Sequence, residues 1–153
     1  MESASNLSLY SDAYFMKEAF KEAQKAYDAD EVPVGAVIVC NNQIIARAHN
    51  LTERLNDVTA HAEMQAITAA ANAIGGKYLT DCRLYVTLEP CTMCAGALGW
   101  SQISSIVYGA SDIKRGFSLL DKNVLHPKTK VSGGILNEAC GKILSDFFAQ
   151  KRK

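Results

Sequence analysis

The sequence of 153 residues has few of the features that mark secreted or membrane proteins. It contains no run of about 18 apolar residues, which excludes a conventional membrane-spanning helix. The opening segment MESASNLSLYSD has no basic stretch followed by an apolar core, so it does not predict a secretory signal. We therefore expect a cytoplasmic protein without a membrane partner.

The cysteines and the charges exclude further classes. Five cysteines is an odd number, and only two of them are closely spaced, which argues against a disulfide framework. Cys40, Cys82 and Cys140 are interpreted as small apolar side chains in the core. The 16 basic and 16 acidic residues cancel, so net charge does not indicate a nucleic-acid partner, although a local basic patch is compatible with the balance.

What the chain does have is the composition of an ordinary folded protein, 48% apolar and 21% charged. We find no repeat, low-complexity tract or linker, so residues 1–153 are predicted to form a single domain. Apolar residues at helical spacing predict an opening helix with Ser11 or Asp12 as its N-cap, and Gly75-Gly76 predicts the end of a second helix. The predicted helices cover residues 13–27, 61–74, 91–101 and 135–153.

Strands alternate with these helices. Asn41-Asn42 can supply the positive φ angles of a tight turn between two strands. Residues 51–59 are predicted to form a polar loop, whereas residues 111–130 mix loop and helix signals. The predicted strands cover residues 32–40, 43–50, 83–88 and 103–110. An opening hairpin followed by alternating elements predicts an α/β protein, a three-layer α/β/α sandwich around a mixed sheet.

Two short segments carry the residues of a metal site. TAHAEMQAI contains His61, and LEPCTMCAGAL contains Cys91 and Cys94. Imidazole and thiolate are both good zinc ligands, and cysteines three apart in a first helical turn can converge on one ion. Helices that follow strands of one sheet begin at the same edge of it, so we expect the three side chains to meet.

Three ligands favour a catalytic zinc ion over a structural one, because a catalytic site keeps a position open for water. His49 and His126 belong to no recognisable ligand pair. Glu63 can then act as a general acid and base beside the metal. The alternatives are a first-turn glutamate favoured by the helix dipole and two core cysteines. The joint spacing favours the metal site.

H-x-E followed by P-C-x-x-C is the known signature of zinc nucleobase deaminases, and the two segments match it fully. Beyond that signature, residues 13 to 150 resemble the bacterial tRNA-specific adenosine deaminases. The resemblance implies a cytidine deaminase-like fold with a five-stranded mixed sheet. The segments that carry it are EVPVGAVIV (31–39), HN (49–50), TAHAEMQAI (59–67), LYVTLEPCTMCAGAL (84–98), VYGASDIKRG (107–116) and LSDFF (144–148).

The resemblance implies a role for each site residue. Asn50 would hydrogen-bond the purine ring, and its alternative is a turn residue closing a strand. Phe147 and Phe148 have a core alternative, and we expect one of the two to be core. The implied roles are zinc ligation by His61, Cys91 and Cys94, proton transfer by Glu63, pocket lining by Pro33 and Val34, ribose contact by Asp112, and contacts with flanking nucleotides by Asp146 and Phe148.

The implied reaction is hydrolytic deamination of adenosine to inosine at the wobble position of an arginine tRNA with an ACG anticodon. The implied cofactor is one zinc ion per chain, and the implied partners are the tRNA anticodon stem-loop and a second copy of the chain in a homodimer. One alternative is a deaminase of a free base or nucleoside, guanine or cytosine, on the same fold. Another is a non-catalytic zinc-stabilised binding domain, against which Glu63 and the absent fourth ligand argue.

Overall fold

The computed structural model describes residues 9–152, so the last residue of the predicted closing helix, Lys153, lies outside it. This part of the chain contains four complete α-helices, one short 3-10 helix (Phe117–Leu119) and five strands. The helices are α1 (Asp12–Asp28), α2 (Ala62–Ile74), α3 (Thr92–Ser101) and α4 (Asn137–Lys151). The strands are β1 (Gly35–Cys40), β2 (Gln43–His49), β3 (Cys82–Leu88), β4 (Ser105–Ala110) and β5 (Lys130–Ser132).

The predicted caps and turns are confirmed. The Ser11 hydroxyl accepts a hydrogen bond from the backbone N–H of Tyr14 at 3.1 Å and caps α1. Asn41 and Asn42 both have positive φ, 52° and 60°, and close the hairpin between β1 and β2. Gly75 has φ 73° at the end of α2, a left-handed conformation in which glycine avoids a Cβ clash.

The sheet has the order β2-β1-β3-β4-β5. β1 runs antiparallel to both of its neighbours, whereas β3, β4 and β5 are parallel to one another. The predicted mixed five-stranded sheet is therefore confirmed. β5 is only three residues long and its side chains are exposed, so hydrophobic periodicity has no signal with which to locate it.

Helices cover both faces of the sheet, as predicted for a three-layer sandwich. α2 and α3 pack on one face, through a core that includes Ala66, Ala70 and Leu98. α1 and α4 pack on the other, through a core that includes Met16 and Cys140. We call these the α2/α3 face and the α1/α4 face. No helix within residues 9–152 is long and apolar enough to cross a membrane.

Several predicted boundaries were wrong. The first strand begins at Gly35 and not at residue 32, and the Gly35 N–H donates to the Thr87 hydroxyl at 3.1 Å. Pro33 lacks an N–H for a strand ladder, which is consistent with this late start. The fourth predicted strand begins at residue 105 instead of 103, and the closing helix at residue 137 instead of 135. Among the core cysteines, Cys40 is only half-buried.

Candidate active site

The predicted ligands lie at the starts of two helices. His61 directly precedes α2, Cys91 directly precedes α3, and Cys94 lies in the first turn of α3. α2 follows β2 and α3 follows β3, and these two strands point the same way because both are antiparallel to β1. The two helix starts therefore meet at the carboxyl ends of the strands, where open α/β sheets bind ligands.

The three donor atoms are close enough to share one ion. His61 Nδ1 lies 3.6 Å from Cys91 Sγ and 3.5 Å from Cys94 Sγ. All three donors lie within 4.8 Å of one another, and within residues 9–152 no other group of three or more His, Cys, Asp or Glu side chains is arranged in this way. One nitrogen and two sulfurs at this spacing fit a zinc ion.

The electrostatics of His61, Cys91 and Cys94 also favour the binding of a cation. Hydrogen bonds from Cys94 and from His61 lower the pKa of the Cys91 thiol to about 4. The same contact with Cys91 raises the pKa of His61. The contact with Cys91 and burial raise the pKa of Cys94. The Cys91 sulfur is therefore the site of negative charge, and thiolate is the form of cysteine that binds metals.

Glu63 lies in the first turn of α2, and its side chain is held beside the metal-binding group. The residue is 4% exposed. Burial raises the pKa of its carboxyl group to about 7, and the Cys94 thiol contacts this group. A carboxyl group with a pKa near neutrality can both accept and donate a proton, which general acid–base catalysis requires.

The metal-binding group opens into a cavity of about 200 Å³. This volume is below the range of about 300–1,000 Å³ typical of sites for drug-sized ligands, so a larger substrate would enter with only one part of itself. Val34, Asn50 and Asp112, three of the residues predicted to contact substrate, line the cavity. Pro33 is buried and is not among the lining residues. The cavity is lined by Val32, Val34, Asn50, Thr52, His61, Ala62, Glu63, Leu88, Glu89, Cys91, Asp112 and Arg115.

Asn50 is fixed in the cavity wall directly after β2. Its backbone N–H donates to the carbonyl of Val34 at 3.1 Å, and its side-chain amide donates to the Thr52 hydroxyl at 3.3 Å. The side chain is buried. The turn interpretation and the binding interpretation of Asn50 are thus compatible, because the backbone N–H closes the strand while the residue also lines the cavity.

Residues 9–110 match the family model of the cytidine and deoxycytidylate deaminase zinc-binding region. A tRNA-specific adenosine deaminase from Bacillus subtilis (strain 168) is 49% identical over 147 residues, which cover 93% of this chain and 91% of that protein. The chain belongs to the tRNA-specific adenosine deaminases. The zinc-binding region of the family includes the positions at which the structure brings His61, Cys91 and Cys94 together.

Two solved structures of deaminases are also similar to this chain. One comes from a study of A-to-I editing by tRNA:A34 deaminases at the wobble position of transfer RNA. It is 43% identical with a TM-score of 0.80, and the match covers 86% of this deaminase and 99% of that chain. A guanine deaminase from Bacillus subtilis is 41% identical with a TM-score of 0.61, and covers only 63% of this deaminase and 62% of that chain. At similar sequence identity, the tRNA deaminase structure thus covers a larger share of this chain than this guanine deaminase does.

Two residues predicted to contact RNA lie outside the cavity of this deaminase. Asp146 is on α4, forms an ion pair with Lys142 at 2.7 Å, and lines a separate groove together with Tyr27. Phe148 is 42% exposed, whereas Phe147 is 5% exposed. The expectation that one phenylalanine of the pair is core is confirmed, and the core residue is Phe147.

No role was predicted from the sequence for three of the polar residues that line the cavity. Glu89 and Arg115 lie in segments that carry the resemblance, but the resemblance implies roles in those segments only for Cys91, Cys94 and Asp112. Thr52 lies in the loop predicted to be merely polar. Of the three, only Glu89 could have been predicted to lie near the site, because it is two residues before the metal-binding Cys91.

Proposed function

We propose that this deaminase converts adenosine to inosine at the wobble position of a tRNA anticodon, with the ACG anticodon of an arginine tRNA as the expected substrate. Residues 1–153 would act as one deaminase domain. The observation that carries the proposal is a buried Glu63 beside a group of His61, Cys91 and Cys94 in a cavity of about 200 Å³. The tRNA-specific relatives supply the substrate class.

His61, Cys91 and Cys94 would hold the zinc ion, and their spacing and the low pKa of the Cys91 thiol fit that role. When bound by three protein ligands, zinc keeps one position open and lowers the pKa of a water molecule there to about 7. The half-buried His61 and Cys91 line the cavity, whereas Cys94 is buried and does not. A zinc ion held by these residues would therefore lie beside the cavity and would activate water there.

Glu63 would carry the protons. It would take a proton from the attacking water and pass it to N1 of the adenine. It would then take the remaining proton from the new hydroxyl group at C6 and pass it to the amino group, which leaves as ammonia while the C6 carbonyl forms. Adenosine and water thus become inosine and ammonia. The raised pKa of Glu63 supports this assignment, since a group that titrates near neutral pH can transfer protons in both directions.

The cavity walls would hold the base. Asn50 would hydrogen-bond the purine, since an amide offers both a donor and an acceptor. Val34 would pack against the ring, with the buried Pro33 behind it, and Asp112 would contact the ribose. A cavity of this size takes one base, and an anticodon loop presents an unpaired base that is flipped out at little cost.

The remaining contacts would lie outside the cavity. Asp146 and the half-exposed Phe148 would meet nucleotides that flank the target, and an exposed aromatic ring suits stacking on an RNA base. The resemblance to the family supports a homodimer in which the RNA contacts both subunits. A tRNA substrate fits a cytoplasmic location, which is part of the proposal.

The experiment that tests this function compares three substrates. The zinc-loaded protein is incubated in parallel with an ACG anticodon stem-loop, free guanine and free cytosine, and each deaminated product is measured by mass spectrometry. We expect inosine in the stem-loop and no change in the free bases. A stem-loop in which the wobble adenosine is base-paired is the matched control. Deamination of guanine or cytosine without inosine formation would establish the free-base alternative.

A further inference from the structure

Glu89 is a buried carboxylate with no part in the proposed chemistry. It follows β3 directly, precedes Pro90 and Cys91, and is 2% exposed. One carboxylate oxygen accepts a hydrogen bond from the backbone N–H of Asp112 at 3.1 Å, and the other accepts one from the backbone N–H of Ser118 at 2.9 Å. A single side chain thus joins the two ends of the segment 112–118.

This segment is attached to residues 89–91 by further contacts. The backbone N–H of Phe117 donates to the carbonyl of Pro90 at 3.0 Å, and Gly116 forms an isolated bridge with Cys91. Within the segment, the Asp112 carboxylate accepts the backbone N–H groups of Lys114 and Arg115, both at 3.0 Å. The segment is therefore folded around Asp112 and fastened to the strand end that carries Cys91.

Gly116 shows how closely the segment approaches the carboxylate. A Cβ atom at this position would lie 2.4 Å from the Glu89 carboxylate, too close for any real contact. The backbone of Gly116 has φ −63° and ψ 145°, which every residue type adopts. Glycine is needed here for space alone, so an added methyl group would displace the carboxylate without straining the backbone.

We propose that Glu89 is a positioning residue, which holds the segment 112–118 in the conformation that receives the polynucleotide around the target base. Glu89, Asp112 and Arg115 all line the cavity, but both carboxylate oxygens of Glu89 accept backbone N–H groups, so Glu89 acts on the substrate through the segment that carries Asp112 and Arg115. The segment is otherwise largely exposed, as Ile113 illustrates. Because the segment is already ordered before the substrate binds, binding does not incur the entropy loss of ordering it. The substrate part of this proposal rests on the proposed function.

The test uses Glu89→Gln and Gly116→Ala, which disturb the same contact from opposite sides. The Gln side chain keeps one acceptor but turns an N–H group toward one of the two backbone donors. In both zinc-loaded variants we expect faster amide hydrogen exchange at residues 112–118, about a tenfold higher KM for the anticodon stem-loop, and a kcat within about threefold of the wild type.

Two matched controls separate this effect from general destabilisation. Glu22→Gln makes the same substitution at a buried position on the α1/α4 face. Gly141→Ala adds a methyl group within α4, where the nearest atom is 4.0 Å away. Neither residue belongs to the site, so both controls should keep the exchange rates of residues 112–118 and the KM of the wild type.

The hydrogen-exchange measurement needs no substrate. It therefore tests whether Glu89 holds residues 112–118 even if the proposed function is wrong. A wild-type protein that forms no inosine would refute the proposed function, and its exchange pattern would still report on Glu89. Unchanged exchange at residues 112–118 in both variants would overturn the proposal. So would faster exchange with an unchanged KM, or loss of zinc in both variants, because the effect would then run through Cys91.

Discussion

Buried glutamates lie on both sides of the sheet, and the two groups have different partners. On the α1/α4 face, Glu18 and Glu22 meet side-chain cations: Arg47 lies 2.7 Å from Glu18 and 3.7 Å from Glu22. Around the cavity, the partners are backbone N–H groups. Glu31 accepts from Glu53 and Arg54 at 3.0 and 2.7 Å, as Glu89 does from its own loop.

The two kinds of partner have different consequences: side-chain cations stabilise the fold, whereas backbone N–H groups fix the loops that form the cavity. An ion pair between side chains stabilises the elements that carry it but does not define the shape of a loop. A carboxylate that accepts two backbone N–H groups fixes the course of the chain. Glu31 and Glu89 do so for two loops that contribute Thr52 and Asp112, respectively, to the cavity lining. Glu63 belongs to neither group, because burial dominates its environment and raises its pKa to about 7.

The largest expected effect is that of Glu63→Gln. We expect inosine formation to fall by about a thousandfold or more, because the amide cannot transfer protons. The zinc content should stay at one ion per chain, and the melting temperature should not fall, because the variant removes a buried ionisable group. Kinetics on the stem-loop and metal analysis measure both. Activity within tenfold of the wild type would disprove the proton-transfer role.

Removal of zinc is expected to affect one side of the molecule and not the other. The starts of α2 and α3 share the metal, so chelation should increase hydrogen exchange at residues 59–66 and 89–95. Protection of α1 and α4 should change little. A ligand present at a thousand times its Kd contributes about 4 kcal/mol to the free energy of unfolding, which sets the scale of the loss. A uniform increase over both faces would contradict this division.

The smallest effect is expected at the α1/α4 face. Arg47→Gln should lower the free energy of unfolding by about 1–2 kcal/mol, because Glu18 and Glu22 lose a shared partner, while inosine formation stays unchanged. The control is Lys142→Gln, which removes the cation of an exposed ion pair with Asp146 and should change the free energy of unfolding less than Arg47→Gln does. Urea titration measures both.

The effect of Arg47→Gln should also depend on pH. Hydrogen bonds from Lys21 and from Arg47 lower the pKa of Glu18 below its ordinary value of 4.5. A carboxylate whose pKa is lowered by folding contributes stability above its unfolded pKa, and this contribution disappears as the pH falls through the folded pKa. The difference between wild type and variant should therefore be largest near neutral pH and shrink below pH 4.5. A constant difference would exclude Glu18 as its source.

The site was predictable where its residues carry their own signature. His61 precedes a helix, Cys91 and Cys94 are spaced by one helical turn, and both features are local in sequence. Glu89 was not predictable as a positioning residue, because its partners lie 23 and 29 residues away and are backbone N–H groups, which every residue except proline has. Neither was β5, whose exposed side chains show no periodicity.

Phe147 and Phe148 of α4 illustrate a further limit of prediction from sequence. Phe147 and Phe148 are adjacent and chemically identical, so composition cannot decide which one is core. The decision follows from how α4 packs on α1, which places Phe147 against Tyr27 with ring centroids 5.9 Å apart. That packing depends on residues more than 100 positions apart in the sequence.

Gly35 links the two sides of the sheet. A Cβ atom at this position would lie 2.1 Å from the backbone oxygen of Ala19, so α1 rests directly on the main chain of β1. The neighbouring residue, Val34, forms part of the cavity wall. A helix outside the cavity lining thus sets the position of one cavity wall, and any side chain larger than hydrogen at residue 35 would move that wall.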